Sequence, residues 1–454
     1  RRVKTRMLYR IPVSPIVKKL IKELEGNLPW KPYVASNSVY DISEKSVAYN
    51  KSISGNIVVT PSANSCIGNP SNFNLTVNPI PTVNSIANQV KCNGSLSDAI
   101  IFSGSVPGTI YHWTNNNPSI NLVASGTGNI PAFALTNTSN TPITATITVT
   151  PAYEFAGETC TGATTSFTIT VNPTPTVDQL ANQAICVGSS SSIIAFSSTF
   201  GVNGTNYDWV NDNTATGILA SGSGAFPSFN ATNSTTGVLT STIVVTPTMT
   251  NANESCIGNP MSFTFSVNPI PVMVNPVDQI WCHGNQTNVV TFSSNVTGTI
   301  YNWSATNTGI GIAANGQGNI GIFGVINTTS SVQTSTVNIT PSFTSGNTTC
   351  FGAPQNMVFT VNPTPNVQDP PDQVICAGQN TTAISFVGTG TQYDWTNSNT
   401  SIGLAANSSG SIPTFIGQNS GSIPQTANII VTPQYIFGGL TCTGSSQSFS
   451  ISVN

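Results

Sequence analysis

The chain has 454 residues, a net charge of −3 and only 6% Asp, Glu, Lys and Arg, against about 25% in ordinary globular domains. Eleven of its twelve Lys and Arg residues lie in residues 1–51, and from residue 52 onward eleven acids accompany a single base, Lys91. That balance excludes a phosphate-gripping nucleic-acid surface over the main body, and no apolar run reaches the roughly 18 residues that a membrane-spanning helix needs.

Residues 1–52 form an atypical basic segment. Ser14-Pro15 followed by Ile16, Val17, Leu20, Ile21 and Leu24, then Gly26, predicts a short amphipathic helix. Ser14 would cap it, Pro15 would take the first helical position and Gly26 would end it. Such a basic helix suits a partner or membrane surface; a foreign segment replacing the front of a fifth repeat is the alternative. The chain opens on Arg1 with no visible signal peptide, which points to a fragment or a processed product.

A repeat becomes recognisable at Ile53. Residues 53–81 read as the C-terminal remnant of one unit, ending in Phe73-Asn-Leu-Thr-Val77-Asn-Pro-Ile-Pro81. Four full units follow, expected at 82–174, 175–269, 270–363 and 364–454. Each opens with Asn/Asp-Gln-x-x-Cys, as in Asn88-Gln89 to Cys92 and Asp372-Gln373 to Cys376. An alternating apolar run comes next, then Tyr-x-Trp: Tyr111/Trp113, Tyr207/Trp209, Tyr301/Trp303 and Tyr393/Trp395. A Gly/Ser/Asn stretch leads to Phe133, Phe229, Phe323 or Phe415. A Thr-rich strand ending in Thr-Pro follows (Pro151, Pro247, Pro341, Pro433), then Cys-x-Gly, then a closing strand such as Phe167-Thr-Ile-Thr-Val171.

In that closing strand the apolar residues alternate, the mark of a strand with one buried face. The Asn-Pro-x-Pro after it cannot continue a ladder, because Pro lacks an N–H, so it reads as a short stiff linker. About seven short strands per unit predict an all-β fold of tandem immunoglobulin-like, Greek-key β-sandwiches in a linear rod. Trp113, Trp209, Trp303 and Trp395 are the expected core aromatics.

Nine cysteines at fixed repeat positions predict structural disulfides in an oxidising compartment. The preferred pairing lies within each unit: Cys92–Cys160, Cys186–Cys256, Cys282–Cys350 and Cys376–Cys442. Two alternatives stay open: pairs 26 residues apart across each linker, such as Cys66–Cys92, and pairs from one unit to the next, such as Cys92–Cys256.

Catalytic chemistry finds no constellation, and no enzyme activity or cofactor is expected. The two histidines, His112 and His283, fall at positions that hold other residue types in the sister units, so no triad can be assembled once per unit. Acids are scattered; Asp208, Asp212 and Asp394, near Tyr-x-Trp, are the first residues to consider for a metal and are not repeated in the other units. The absence of Lys and Arg after residue 91 also predicts a trypsin-resistant, salt-insensitive body.

These units resemble the PKD-like, immunoglobulin-like repeats of very large secreted proteins of Bacteroidota. The matching residues are Asn/Asp-Gln-x-x-Cys-x-Gly, Tyr-x-Trp-x-Asn, Ala124 to Phe133, Thr-Pro, Cys160 to Gly162, Cys442 to Gly444 and Val-Asn-Pro-x-Pro. The resemblance implies a cell-surface or extracellular filament, as in gliding-motility adhesins of the SprB kind and other type IX-secreted proteins. The implied partners are neighbouring repeats, with surface glycans or other cell-surface proteins as candidates. A spacer in a secreted multimodular enzyme and a glycan-binding array are the competing readings.

Overall fold

Alternating Thr and apolar residues make pleated strands here because β-branched side chains fit a half-buried sheet. The fold is a computed structural model describing residues 50–59, 62–63, 66–67 and 69–454. The helix expected near Pro15 lies outside the described residues. In the remnant, β1 (Ile53–Val59) pairs antiparallel with β4 (Ser71–Val77), and β2 (Ser62–Ala63) pairs with β3 (Cys66–Ile67).

The first full repeat carries β5 (Gln89–Cys92), β6 (Ile110–Asn115), β7 (Ser125–Thr127), β8 (Ile143–Phe155), β9 (Glu158–Thr161) and β10 (Thr165–Asn172). They form one sheet in the order β5-β10-β8-β6-β7, with β9 also on β8. The opening strand β5 runs parallel to the closing strand β10, whereas β10–β8, β8–β6, β6–β7 and β8–β9 are antiparallel. The same order recurs three times. The second repeat has β11 (Gln183–Cys186), β12 (Thr205–Asn211), β13 (Ser221–Ser223), β14 (Leu239–Asn251), β15 (Glu254–Ile257) and β16 (Met261–Asn268). The third has β17 (Gln279–Cys282), β18 (Ile300–Ala305), β19 (Asn315–Gln317), β20 (Gln333–Ser345), β21 (Thr348–Phe351) and β22 (Gln355–Asn362). The fourth has β23 (Gln373–Ile375), β24 (Gln392–Asn397), β25 (Asn407–Ser409), β26 (Gln425–Phe437), β27 (Leu440–Thr443) and β28 (Gln447–Val453).

The facing layer is thinner than a second regular sheet. In the first repeat it is tied by the bridges Leu96↔Ala134 and Ile100↔Ile130. Ile100, Phe102, Ile130 and Leu135 of this layer pack on Trp113, Ile147, Phe167 and Ile169 of the sheet. The result is a tandem immunoglobulin-like array of β-sandwiches. Trp113, Trp209, Trp303 and Trp395 are 6%, 2%, 9% and 3% exposed, and Tyr111 shares the core with Trp113. The Gly/Ser stretch after Tyr-x-Trp supplies a short strand of its own: β7 lays Gly126 opposite Trp113. A Cβ there would fall 2.3 Å from the indole, so the ring occupies the space that a side chain would need.

Pro151 sits inside the 13-residue β8 without breaking it. Residues 143–149 of β8 pair with β10 and residues 152–155 pair with β9. Pro151 falls in the gap between those two ladders, where a missing N–H costs least.

The chain divides into two compact units. One comprises Gln179–Ala195, Trp209–Val245 and Met261–Asn454; the other holds the described residues up to Asp178 with Phe196–Asp208 and Thr246–Pro260.

Candidate functional site at the seams between repeats

Three motifs that are far apart in sequence meet where each repeat opens. The glycine of Cys-x-Gly donates its N–H to the carbonyl of the Thr-Pro proline: Gly162 to Pro151 at 2.9 Å, Gly258 to Pro247 at 2.9 Å, Gly352 to Pro341 at 2.9 Å and Gly444 to Pro433 at 3.0 Å. The carbonyl of the second linker proline lies against the same glycine. A Cβ on Gly258 would come 1.8 Å from Pro175 O, and one on Gly162 would come 1.8 Å from Pro81 O. Pro79, Pro81, Pro173 and Pro175 are buried. The Asn-Pro-x-Pro stretch, read from the sequence as a short stiff linker, is therefore packed structure.

The asparagine of that stretch pins one repeat to the hairpin of the next. Asn172, Asn268 and Asn362 are each 0% exposed. Asn251 Nδ2 donates to Asn172 Oδ1 at 2.8 Å. Asn268 Nδ2 donates to the carbonyls of Ser345 at 3.0 Å and Thr348 at 3.2 Å. Asn362 Nδ2 donates to Phe437 O at 3.3 Å, and Asn78 Nδ2 in the remnant donates to Phe155 O at 3.3 Å. The hairpin tips are tight turns: Ala156 and Gly157, Ala252 and Asn253, and Gly438 and Gly439 all have positive φ, as two-residue hairpin loops require.

Disulfides close the same seams. Cys92 bonds to Cys256, Cys186 to Cys350 and Cys282 to Cys442, with Cα–Cα distances of 5.5, 5.6 and 5.6 Å. Cys160 and Cys376 are free thiols. The preferred pairing within repeats is thus overturned for Cys92, Cys160, Cys186, Cys256, Cys282, Cys350, Cys376 and Cys442, and the bond runs from each repeat to the next.

The reason is the parallel opening strand. Cys92 lies beside Asn172, next to Val171, which faces Ile143 at the start of β8. Cys160 faces Tyr153, ten residues further along β8, or about 33 Å at 3.3 Å per residue. A disulfide needs Cα atoms within about 7 Å. The two cysteines of one repeat mark opposite ends of its sheet, so each meets a cysteine of a neighbouring repeat. Burial and the charge of Glu158 push the Cys160 thiol up from its ordinary pKa.

The remaining motif residues have local structural roles. The Asn/Asp that opens each repeat accepts a backbone N–H of the closing strand: Asn88 from Thr168 at 2.8 Å, Asn182 from Thr264 at 2.9 Å, Asp278 from Val358 at 2.8 Å and Asp372 from Ser450 at 2.6 Å. Only an acceptor is needed, so Asn and Asp interchange. That hydrogen bond holds the Asp372 carboxyl below the usual carboxylate range. His283 Nδ1 accepts from Asn327 N at 2.9 Å, the role Asn93 Oδ1 plays for Asn137 N. His112 is exposed beside Thr127.

Asp208 accepts from Asn206 at 2.9 Å, Asp212 from Thr242 N at 2.7 Å, and Asp394 from both Gln392 and Gln434. Each acid is taken up by hydrogen bonds within its own repeat, and among the described residues no three His, Cys, Asp or Glu side chains gather as a metal would require.

Sequence reasoning missed Asn137, Asn233, Asn327 and Asn419. Each side-chain amide donates to the last core carbonyl of the closing strand, as Asn137 does to Val171 O at 2.8 Å. Their signal was a constant spacing, four residues after Phe133, Phe229, Phe323 and Phe415.

Residues 88–175 match the PKD-like domain family. No curated protein matches the chain. Among solved structures it is similar to immunoglobulin domains 1–5 of Sidekick-1, at 12% identity and a TM-score of 0.26 over 88% of this chain and 86% of that one. It is also similar to mouse cadherin-23 EC22-24, at 13% identity and a TM-score of 0.31 over 61% and 96%. The protocadherin gammaB4 extracellular domain gives 10% identity and a TM-score of 0.30 over 97% and 79%.

Proposed function

We propose that this chain is a structural segment, a stalk or filament, of a large secreted cell-surface adhesin of the gliding-motility, type IX-secreted kind, and that it carries load and performs no catalysis. The observation that carries this reading is the interleaving of the disulfides. The loop closed by Cys92–Cys256 contains Cys186, whose partner Cys350 lies beyond it; the loop from Cys186 to Cys350 contains Cys282 in turn. No repeat among those joined can unravel along its whole length without a covalent tie to its neighbour.

Such bonds persist in oxidising surroundings outside the cytoplasm. The match of residues 88–175 to a PKD-like domain supports an adhesion-type extracellular segment. The described surface is wetted by Thr, Ser and Asn, and the residues that repeat most regularly are spent on cores, strand caps and seams. Pulling the chain by its two ends, with and without reductant, tests the reading: a load-bearing ladder yields far less length while its disulfides are intact.

A further inference from the structure

The free thiols of Cys160 and Cys376 occupy the register positions of the bonded ones. Cys376 follows β23 as Cys92, Cys186 and Cys282 end β5, β11 and β17, and each of those three is bonded to the hairpin cysteine of the next repeat. Cys160 holds the hairpin position of the first repeat, the place that Cys256, Cys350 and Cys442 hold in the others.

The surroundings of Cys376 reproduce the rest of a seam, uncovered. Ala184 and Ile280 sit two residues before their cysteines. The hairpin turns of the following repeats lie against them, at Gly346 and Gly438. Val374, at the same position before Cys376, is 68% exposed. Asn454 accepts the Ala377 N–H at 2.9 Å, as Asn268 accepts that of Val187 at 3.0 Å. Asn268 is fully buried under a hairpin, whereas Asn454 is exposed. A thiol, an apolar side chain and an amide therefore stand in the arrangement that binds a hairpin elsewhere.

We propose that Cys376, Val374 and Asn454 form an open half-seam whose occupant is the Cys-x-Gly hairpin of a further repeat of this kind, joined through a disulfide to Cys376. The bond forms by exchange with a low-molecular-weight disulfide. The Cys376 thiolate attacks one sulfur and releases one thiolate, giving a mixed disulfide. The hairpin thiolate then attacks the Cys376 sulfur and releases the second. Two protein thiols and one small disulfide become one protein disulfide and two small thiols. This inference concerns the partner of one seam and is read out as linkage, so its failure and a failure of the load-bearing reading are distinguishable.

The test extends the full chain at Asn454 with a second copy of residues 363–454 and oxidises it in a glutathione buffer. The expected result, by peptide mapping without reductant, is a link from Cys376 to the added duplicate of Cys442, leaving the added duplicate of Cys376 free. Its reduction midpoint in glutathione should lie within about tenfold of that of Cys282–Cys442, since both close the same kind of seam. Changing the duplicate of Cys442 to serine should leave Cys376 open to alkylation. An alkylated Cys376 in the unaltered extended chain, with Cys282–Cys442 intact, overturns the proposal. So does a Cys376 link that reduces at a more than hundredfold lower thiol concentration than Cys282–Cys442, because mere proximity would then account for it.

Discussion

Cys92 and Cys256 are 164 residues apart in sequence and 5.5 Å apart between Cα atoms. The first ends an opening strand and the second sits on the hairpin of the following repeat. Closing a loop of that length removes denatured-state entropy worth about 5 kcal/mol in the loop-closure account. Cys92→Ser and Cys256→Ser should each lower stability by about 2–5 kcal/mol. The double variant should cost little more than either single one, since both remove the same bond. Urea unfolding followed by tryptophan fluorescence checks this; costs that simply add would show that the two thiols act separately.

Asn268 is fully buried and donates to Ser345 O and Thr348 O. Asn268→Ala should cost about 1–3 kcal/mol, the usual penalty for stripping a buried hydrogen-bonded group. Asn268→Asp should cost more, because its charge would face two carbonyl oxygens without water. The weakened seam should also show as faster reduction of Cys186–Cys350, measured by timed alkylation.

Gly258 and Gly237 separate steric need from chance. A Cβ on Gly258 meets Pro175 O at 1.8 Å, whereas one on Gly237 meets nothing within 4 Å. Gly258→Ala should destabilise by about 1–3 kcal/mol as an overpacked site does, and Gly237→Ala should stay within about 0.5 kcal/mol of the parent. Thermal melts of the two variants, run side by side, decide it.

Much of this fold was legible in the sequence because its signals are local. Alternation in Phe167-Thr-Ile-Thr-Val171 marks a buried strand face, and Tyr-x-Trp places Tyr111 and Trp113 together in one core. The cysteine pairing was not legible, since it depends on β5 running parallel to β10, a long-range choice that no short motif encodes. The burial of Asn172, Asn268 and Asn362 was hidden for the same reason: their partners lie on hairpins about 80 residues downstream. Asn-Pro-x-Pro looks like a linker in sequence and becomes a seam only once the next repeat packs on it.

Acid should weaken the fold through particular carboxylates. The N–H of Thr199 holds the Asp178 carboxyl below its ordinary pKa, and the N–H of Ser450 does the same for Asp372. A depressed folded pKa means that the unfolded chain binds protons first as pH falls. The stability from both groups is present above the ordinary carboxylate pKa of about 3.9 and is lost as pH drops through the lower folded values. Asp372→Asn, with the acceptor that Asn88 and Asn182 supply in their repeats, should flatten that acid limb. Unfolding midpoints between about pH 2 and pH 7 follow it, and an unchanged limb in the variant would contradict the assignment.

Stretching one molecule by its ends tests the ladder most directly. Along the backbone, Cys92 and Cys442 are separated by 350 residues; through Cys92–Cys256 and Cys282–Cys442 the path holds only the 26 residues from Cys256 to Cys282. The remaining 324 residues are shielded from tension, a contour length of about 110 nm at roughly 3.5 Å per residue. The oxidised chain should therefore reach its limit about 110 nm short of the reduced chain, and whole-repeat unfolding steps should appear between Cys92 and Cys442 only after reduction. Equal final lengths with and without reductant would contradict a covalent ladder that carries the load.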